Sequence, residues 1–348
     1  MGKWKMIAKP IVFLLLFFAM GLGFTRLLTP FWVETSNQSV TFYDLPADSI
    51  DVMIVGSSSL RVGVSPLAMW GSHGITSFSR SSSVQAPLIT YYNVAEGFEY
   101  QNPEVVIIGT MYLFQEYDVD HTDREPGLRA VLDTRRLSKQ KLEAIGAIVQ
   151  KSEFQTWSDY LFPLLRHHSR WASIAENALR REYHYTRGHN VVYVLEEIED
   201  QRNMTPVDRP AAVDEDSAYY YGKAIEACLE KGCKVLLLTA PRADWTYAEY
   251  LAIQQLADEY GVDYLDFNLD DVWDAAGVDV QTDFYNATHI NTYGAVKTSQ
   301  YLADYLVEHY QIPDRRGDET VASTLNADYE RFQAEMEERR ADLYPEAS

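Results

Sequence analysis

Five short apolar runs constrain this chain more than any other feature: residues 51–56, 75–79, 104–110, 233–240 and 262–267. They are rich in β-branched residues and continuous rather than alternating. Strands of a parallel sheet covered on both faces read this way. Helical stretches separate several of them, at 87–99, 214–231 and 246–260, and a fourth, 293–310, follows the last run. Strand alternating with helix predicts an α/β fold of three layers, α/β/α, with a five-stranded, flavodoxin-like parallel sheet. In such sheets ligands bind beyond the carboxyl ends of the strands. Ser58 and the loop 241–245 fall at that edge.

About a hundred residues, 113–213, lie between the third and fourth runs. That is too long for a simple crossover and predicts an inserted helical subdomain or lid. It includes helical spacing at 137–149 and an aromatic segment at 157–171. The α/β domain is expected over residues 30–312. A charged tail, 313–348, follows, with helical potential at 328–343.

Residues 10–24 form an unbroken apolar run preceded by Lys3, Lys5 and Lys9 and by no acid. The run is short for a spanning helix, but Leu27, Leu28, Phe31 and Trp32 extend it past Arg26, whose long side chain can snorkel. No small-x-small cleavage site follows, which favours an uncleaved signal-anchor over residues 1–29 above a removed signal peptide. The lysines place the N-terminus in the cytoplasm and the rest of a single-pass chain outside. The chain carries a net charge of −21; the four cations of residues 1–29, unopposed by any acid, leave −25 on the remainder. Such a surface repels nucleic-acid phosphates, so no nucleic-acid partner is expected.

The chemistry-bearing candidates lie at opposite ends of the domain. Gly56-Ser57-Ser58 closes the first run, and Asn286-Ala287-Thr288-His289 precedes the last helix in a short polar loop. A serine hydroxyl is a weak nucleophile that needs a neighbouring base, and His289 is that base if the fold joins the two. Ser65-Pro66 reads as an N-cap with proline at the first helical position. The turn after Ser58 is therefore not expected to start a helix itself. Other groups weigh less. Cys228 and Cys233 read as buried thiols. His167 and His168 are adjacent and share no helix face, so no metal is expected there. Asp266, Asp270 and Asp271 read as a solvated loop, Tyr219–Tyr221 as helix packing, and Arg80 equally as a surface arginine or as a cation near the second strand's edge that could meet an anionic substrate.

The ordered set Gly56-Ser57-Ser58, Ala240-Pro241-Arg242-Ala243-Asp244-Trp245, Tyr264-Leu265-Asp266-Phe267-Asn268 and Asn286-x-x-His289-Ile290-Asn291-x-x-Gly294-Ala295 resembles the SGNH/GDSL-type hydrolases. It is similar in style to their membrane-anchored, extracytoplasmic branch of DltD-like cell-surface acyl-transfer proteins. The resemblance covers residues 50–310. It implies Ser58 as nucleophile, His289 as general base and Asn286 as its orienting neighbour. Backbone amides of Ser58 and Ser81 would form the oxyanion site. It implies no cofactor, an acyl ester on a cell-surface glycan or teichoic acid as substrate, and a membrane-bound O-acyltransferase as partner. Three departures stand out. Asn286 occupies the family's aspartate position, for which Asp283 or Asp244 are the available substitutes. The oxyanion glycine is not recognisable in residues 79–85. Gly109-Thr110-Met111-Tyr112 replaces the Gly-x-Asn-Asp block. A serine esterase or O-acyltransferase is the expectation. A binding or assembly factor that keeps the fold without the chemistry is the alternative.

Overall fold

A computed structural model describes residues 2–28, 33–122, 125–174 and 183–343. Strands β1 (Val52–Val55), β2 (Ser77–Ser79), β3 (Val105–Gly109), β4 (Lys234–Thr239) and β5 (Asp263–Asp266) form one wholly parallel sheet in the order β2-β1-β3-β4-β5. Each lies within one of the five apolar runs. The helices are α1 (Gly2–Leu28), α2 (Val33–Asp44), α3 (Ser58–Gly63), α4 (Pro66–His73), α5 (Pro87–Gly97), α6 (Glu125–Leu132) and α7 (Lys139–Lys151). There follow α8 (Trp157–Leu161), α9 (Pro163–His167), α10 (Glu215–Glu230), α11 (Tyr247–Tyr260), α12 (Asp270–Ala276), α13 (Thr292–Tyr310) and α14 (Glu319–Leu343).

Side chains along the central strands alternate between two cores, as the period of a strand demands. Val52, Ile54, Val105, Ile107, Leu236 and Leu238 face the side covered by α12 and α13. Met53, Val55, Val106, Ile108, Val235 and Leu237 face α2, α5, α10 and α11. Both sets are buried, which is why the runs are continuous in sequence. Helix starts follow local capping chemistry: the side chains of Ser65, Ser138, Asp214 and Asn291 each accept a first-turn amide, and Thr246 with Glu249 forms a capping box.

Among the described residues of the 113–213 insertion, the first part is helical, as α6 to α9 and a 3-10 turn at Trp171–Ser173. The described residues from 183 onward run without helix back across the sheet's carboxyl edge. There the Arg187 carbonyl accepts from Ser79 N (2.9 Å), covering the outer edge of β2. The charged C-terminal segment forms α14, whose Val321, Ala322, Leu325 and Phe332 pack on Leu67 and Trp70 of α4. Cys228 and Cys233 are buried free thiols.

The chain leaves β1 in one direction to β2 and then crosses to β3 on the other side, so the strand order switches between β1 and β3. Contrary to the sequence expectation, a helix does begin in the turn after β1. α3 starts at Ser58 and is separated from α4 by extended residues at Val64 and Ser65. Six residues of modest helix propensity do not hold a helix by themselves. Two things secure it. Leu60 is fully buried over the point where β1 and β3 end in glycine: a Cβ on Gly109 would lie 2.7 Å from Leu60 Cγ, and one on Gly56 3.2 Å from Gly109 Cα. Each of its last four carbonyls also has a donor, the groups that a helix end otherwise leaves unpaired. Leu60 O accepts from Val64 N (3.1 Å), Arg61 O from Asn190 N (2.8 Å), Val62 O from His189 Nε2 (3.0 Å) and Gly63 O from Thr298 Oγ1 (2.9 Å).

We expect Gly109→Ala to cost about 1–3 kcal/mol in urea unfolding by overpacking against Leu60. The histidines of the clasping segment yield a pH dependence. Burial, reinforced by Arg61, lowers both His184 and His189 to about 4. Unfolded, they titrate near about 6.5, so between these values the unfolded chain binds more protons and stability rises with pH. Their contribution is complete above about pH 6.5 and is lost as pH falls through about 4, with a slope of up to about 3 kcal/mol per pH unit for the pair. Urea midpoints between those pH values check this; the doubly substituted His184→Gln/His189→Gln protein should show a shallower slope.

Candidate active site

Residues 284–290 form a small hairpin, β6 (Phe284–Asn286) and β7 (His289–Ile290), not the irregular loop expected from sequence. Its register sets Asn286 opposite His289, with an irregularity between Phe284 and Asn286. The hairpin is tied down on several sides. Ala287 O accepts from Ala243 N (2.7 Å), Phe284 O from Glu196 N (3.1 Å), and Asn291 N donates to Asp283 O (2.6 Å). Asn291 then caps α13. The α3 helix and β7 pack together, with Gly63 against Ile290.

This packing brings Ser58 and His289, 231 residues apart in sequence, into contact: Ser58 Oγ lies 2.8 Å from His289 Nε2. His289 Nδ1 lies 3.0 Å from Asn286 Oδ1 and 2.8 Å from Thr288 Oγ1. The orientation of the asparagine follows from the backbone. Thr288 N–H donates to Asn286 Oδ1 (3.0 Å), and so does the Thr288 hydroxyl (3.0 Å). The amide oxygen, not the nitrogen, therefore faces the ring. That oxygen accepts the Nδ1 proton, which leaves the Nε2 lone pair to accept the Ser58 hydroxyl proton.

Burial lowers His289 to about 4; Arg242 adds to this and Asp244 opposes it. The ring is thus neutral, the form a base requires, across the physiological range. Tyr285 stacks on it at 5.6 Å between centroids and 24° between planes. Ser58 is the first residue of α3, so its amide has no acceptor within the helix. Ser81, the other amide expected to face an oxyanion, is buried, and its N–H meets Ser79 Oγ at 3.3 Å.

Several sequence expectations are corrected here. Neither carboxylate considered as a substitute for the family's aspartate is bonded to the ring. Asp283 is buried and paired with Lys297 Nζ (2.8 and 2.9 Å). Asp244 forms a fork with Arg242, at 2.8 and 3.0 Å. Arg80 does not face a substrate: it is buried, donates to Glu96 Oε2 (2.5 Å) and Asn93 O (2.7 Å), and lies over the Phe42 ring. Asp266 is not solvated. It accepts from Trp245 Nε1 (2.9 Å), Tyr264 (2.8 Å) and Asn268 N (2.9 Å), and burial raises its pKa. Asn268 Oδ1 in turn accepts from Arg242 N (2.8 Å), so this buried network fixes the loop beside His289.

Sequence reasoning missed Thr288, which forms the turn that aims Asn286, and the stacked Tyr285. It also missed Arg61, which donates to Ser83 Oγ (2.9 Å) from α3. Both Thr288 and Tyr285 lie inside the quoted motif, but their roles need the hairpin register. His167 Nε2 lies 3.4 Å from Asp133 Oδ2, and His168 Nδ1 2.7 Å from Leu165 O.

The arrangement supplies a hydroxyl, a neutral base in line with it and an oriented second ring nitrogen. No protein-family model matches the chain, and no curated protein sequence matches it. Among solved structures the chain is similar to a Bacteroides fragilis NCTC 9343 protein provisionally described as an acylhydrolase. The two share 10% identity and a TM-score of 0.38, over 80% of this chain and 98% of the other. It is also similar to a catalytic mutant of an acetylxylan esterase from Geobacillus stearothermophilus, at 11% identity and TM-score 0.36, over 74% and 94%. At that distance neither likeness carries an assignment of chemistry.

Proposed function

We propose that this chain is a membrane-anchored, extracytoplasmic serine esterase or O-acyltransferase that acts through Ser58 and His289 on acyl esters of a cell-surface glycan or teichoic acid. The observation that carries the chemistry is the 2.8 Å contact between Ser58 Oγ and a histidine whose other nitrogen is already held. Ser58 Oγ attacks the ester carbonyl while its proton passes to His289 Nε2. The oxyanion is met by first-turn amides of α3, Ser58 among them. Collapse expels the alcohol, which takes the proton from Nε2 and leaves the acyl group on Ser58. Water or an acceptor hydroxyl then attacks, with His289 again as base.

The membrane assignment is supported by α1, whose window Ala8–Thr25 is long and apolar enough to cross a bilayer. Lys3, Lys5 and Lys9 precede that window or lie at its start and favour a cytoplasmic N-terminus. The resemblance to DltD-like proteins is what suggests a membrane-bound O-acyltransferase as partner.

One observation favours a second reading, a binding or assembly factor with the same fold. The imidazolium formed during attack meets Asn286, which carries no charge. Labelling of the full-length protein in detergent with a fluorophosphonate separates the two. The enzyme reading expects labelling that disappears in Ser58→Ala and weakens sharply in His289→Ala. It also expects Asn286→Asp to raise kcat on a short p-nitrophenyl ester about tenfold or more, since a carboxylate stabilises the cation and Asp244 is already engaged by Arg242. A folded wild type that neither labels nor exceeds the Ser58→Ala rate establishes the binding factor instead.

A further inference from the structure

The first part of the insertion carries an apolar surface that the α/β fold does not account for. Phe154, Trp157, Phe162, Leu165 and Trp171 are each 44–77% exposed. Scattered exposed apolar residues are ordinary, but a cluster of large ones on neighbouring short helices is not. These five belong to α8, α9 and the turns on either side, and α8 packs against α9.

Two further observations indicate what covers this surface. α9 and the turn at Trp171 pack on α1, and the Trp171 ring meets Phe24 edge-on at 5.7 Å. Phe24 is in the last turn of the Ala8–Thr25 window, where a helix of that length leaves the hydrocarbon. The cluster therefore stands at the level of the headgroups. The local charge also differs from that of the rest of the protein. Residues 157–171 include Arg166 and Arg170 against one carboxylate, Asp159, in a chain of net charge −21. Aromatic and aliphatic side chains interleaved with arginine are the composition of segments that lie in a membrane interface.

We propose that α8, α9 and the turn through Trp171 rest in the interfacial layer of the membrane that α1 enters, forming a second lipid contact beside the anchor. The proposal rests on the anchor reading of α1. Its consequence reaches the candidate site. Arg166 of α9 pairs with Glu125 of α6. Gly127 of α6 lies against Ser83 and Val84, where a Cβ would be 3.1–3.2 Å from their carbonyl oxygens, and Ser83 accepts from Arg61 on the helix that bears Ser58. A seated insertion thus fixes how the carboxyl edge of the sheet stands over the bilayer.

The test uses single cysteines carrying an environment-sensitive fluorophore, in full-length protein reconstituted into phosphatidylcholine vesicles with or without brominated acyl chains. The native thiols are buried, and burial pushes Cys233 up to about 12, so labelling is confined to the introduced site. Labels at Phe162→Cys and Leu165→Cys should emit at shorter wavelength and be quenched by bromolipid, as should one at Leu15→Cys in the anchor. A label at the exposed Leu229→Cys on α10 should do neither. Solvated, unquenched emission at 162 and 165 with quenching at 15 overturns the proposal and leaves the anchor. A wavelength shift at 162 and 165 without quenching marks a protein contact and also overturns it. No quenching at 15 removes the anchor reading and the proposal with it.

Discussion

The candidate site depends on a close approach between two backbones. β1 and β3 end side by side in Gly56 and Gly109, and Leu60 fills the space that their missing side chains leave. That contact turns the chain from a buried strand into α3 and presents Ser58 at the point where the strand order switches, the place where open α/β sheets bind ligands. The short helix is then clasped by donors from two distant segments, at Asn190 and His189 and at Thr298. The position of Ser58 is therefore a property of the whole domain, not of a serine-rich turn.

The electrostatics around His289 are those of a neutral site. Burial disfavours the imidazolium, Arg242 disfavours it further, and Asp244 offsets this only in part because it is forked to that same arginine. Asn286 and Thr288 orient the ring with neutral dipoles. Such a histidine is always available as a base at physiological pH, but it is a poor holder of the proton it takes. A triad with a carboxylate trades these properties the other way.

Much of the fold was legible in the sequence because buried parallel strands have no polar face. Their continuous apolar runs located all five strands of the sheet, and the cap at Ser65 followed by Pro66 marked a helix start. That Ser58 and His289 would meet was also legible, since strand-end serine and pre-helix histidine fall on the same edge of such a sheet. What could not be read was set by tertiary contact. α3 is too short to announce itself by periodicity, and its stability comes from donors far away in sequence. The burial of Arg80 and Asp266 reflects partners, Glu96 and Trp245, that only the packed sheet supplies. The hairpin that pairs Asn286 with His289 is two residues wide on one side and has no alternation to detect.

The central claim is that a neutral His289, held by Asn286, serves as the base for Ser58. The most direct measurement is the pH dependence of kcat/KM for a short ester, which reports the free enzyme's essential base. The account predicts a plateau through neutral pH that persists into the acid range and falls only as pH drops through about 4, where His289 gains its proton. An acid limb near about 6.5, the value of a solvated histidine, would contradict the buried neutral base described here.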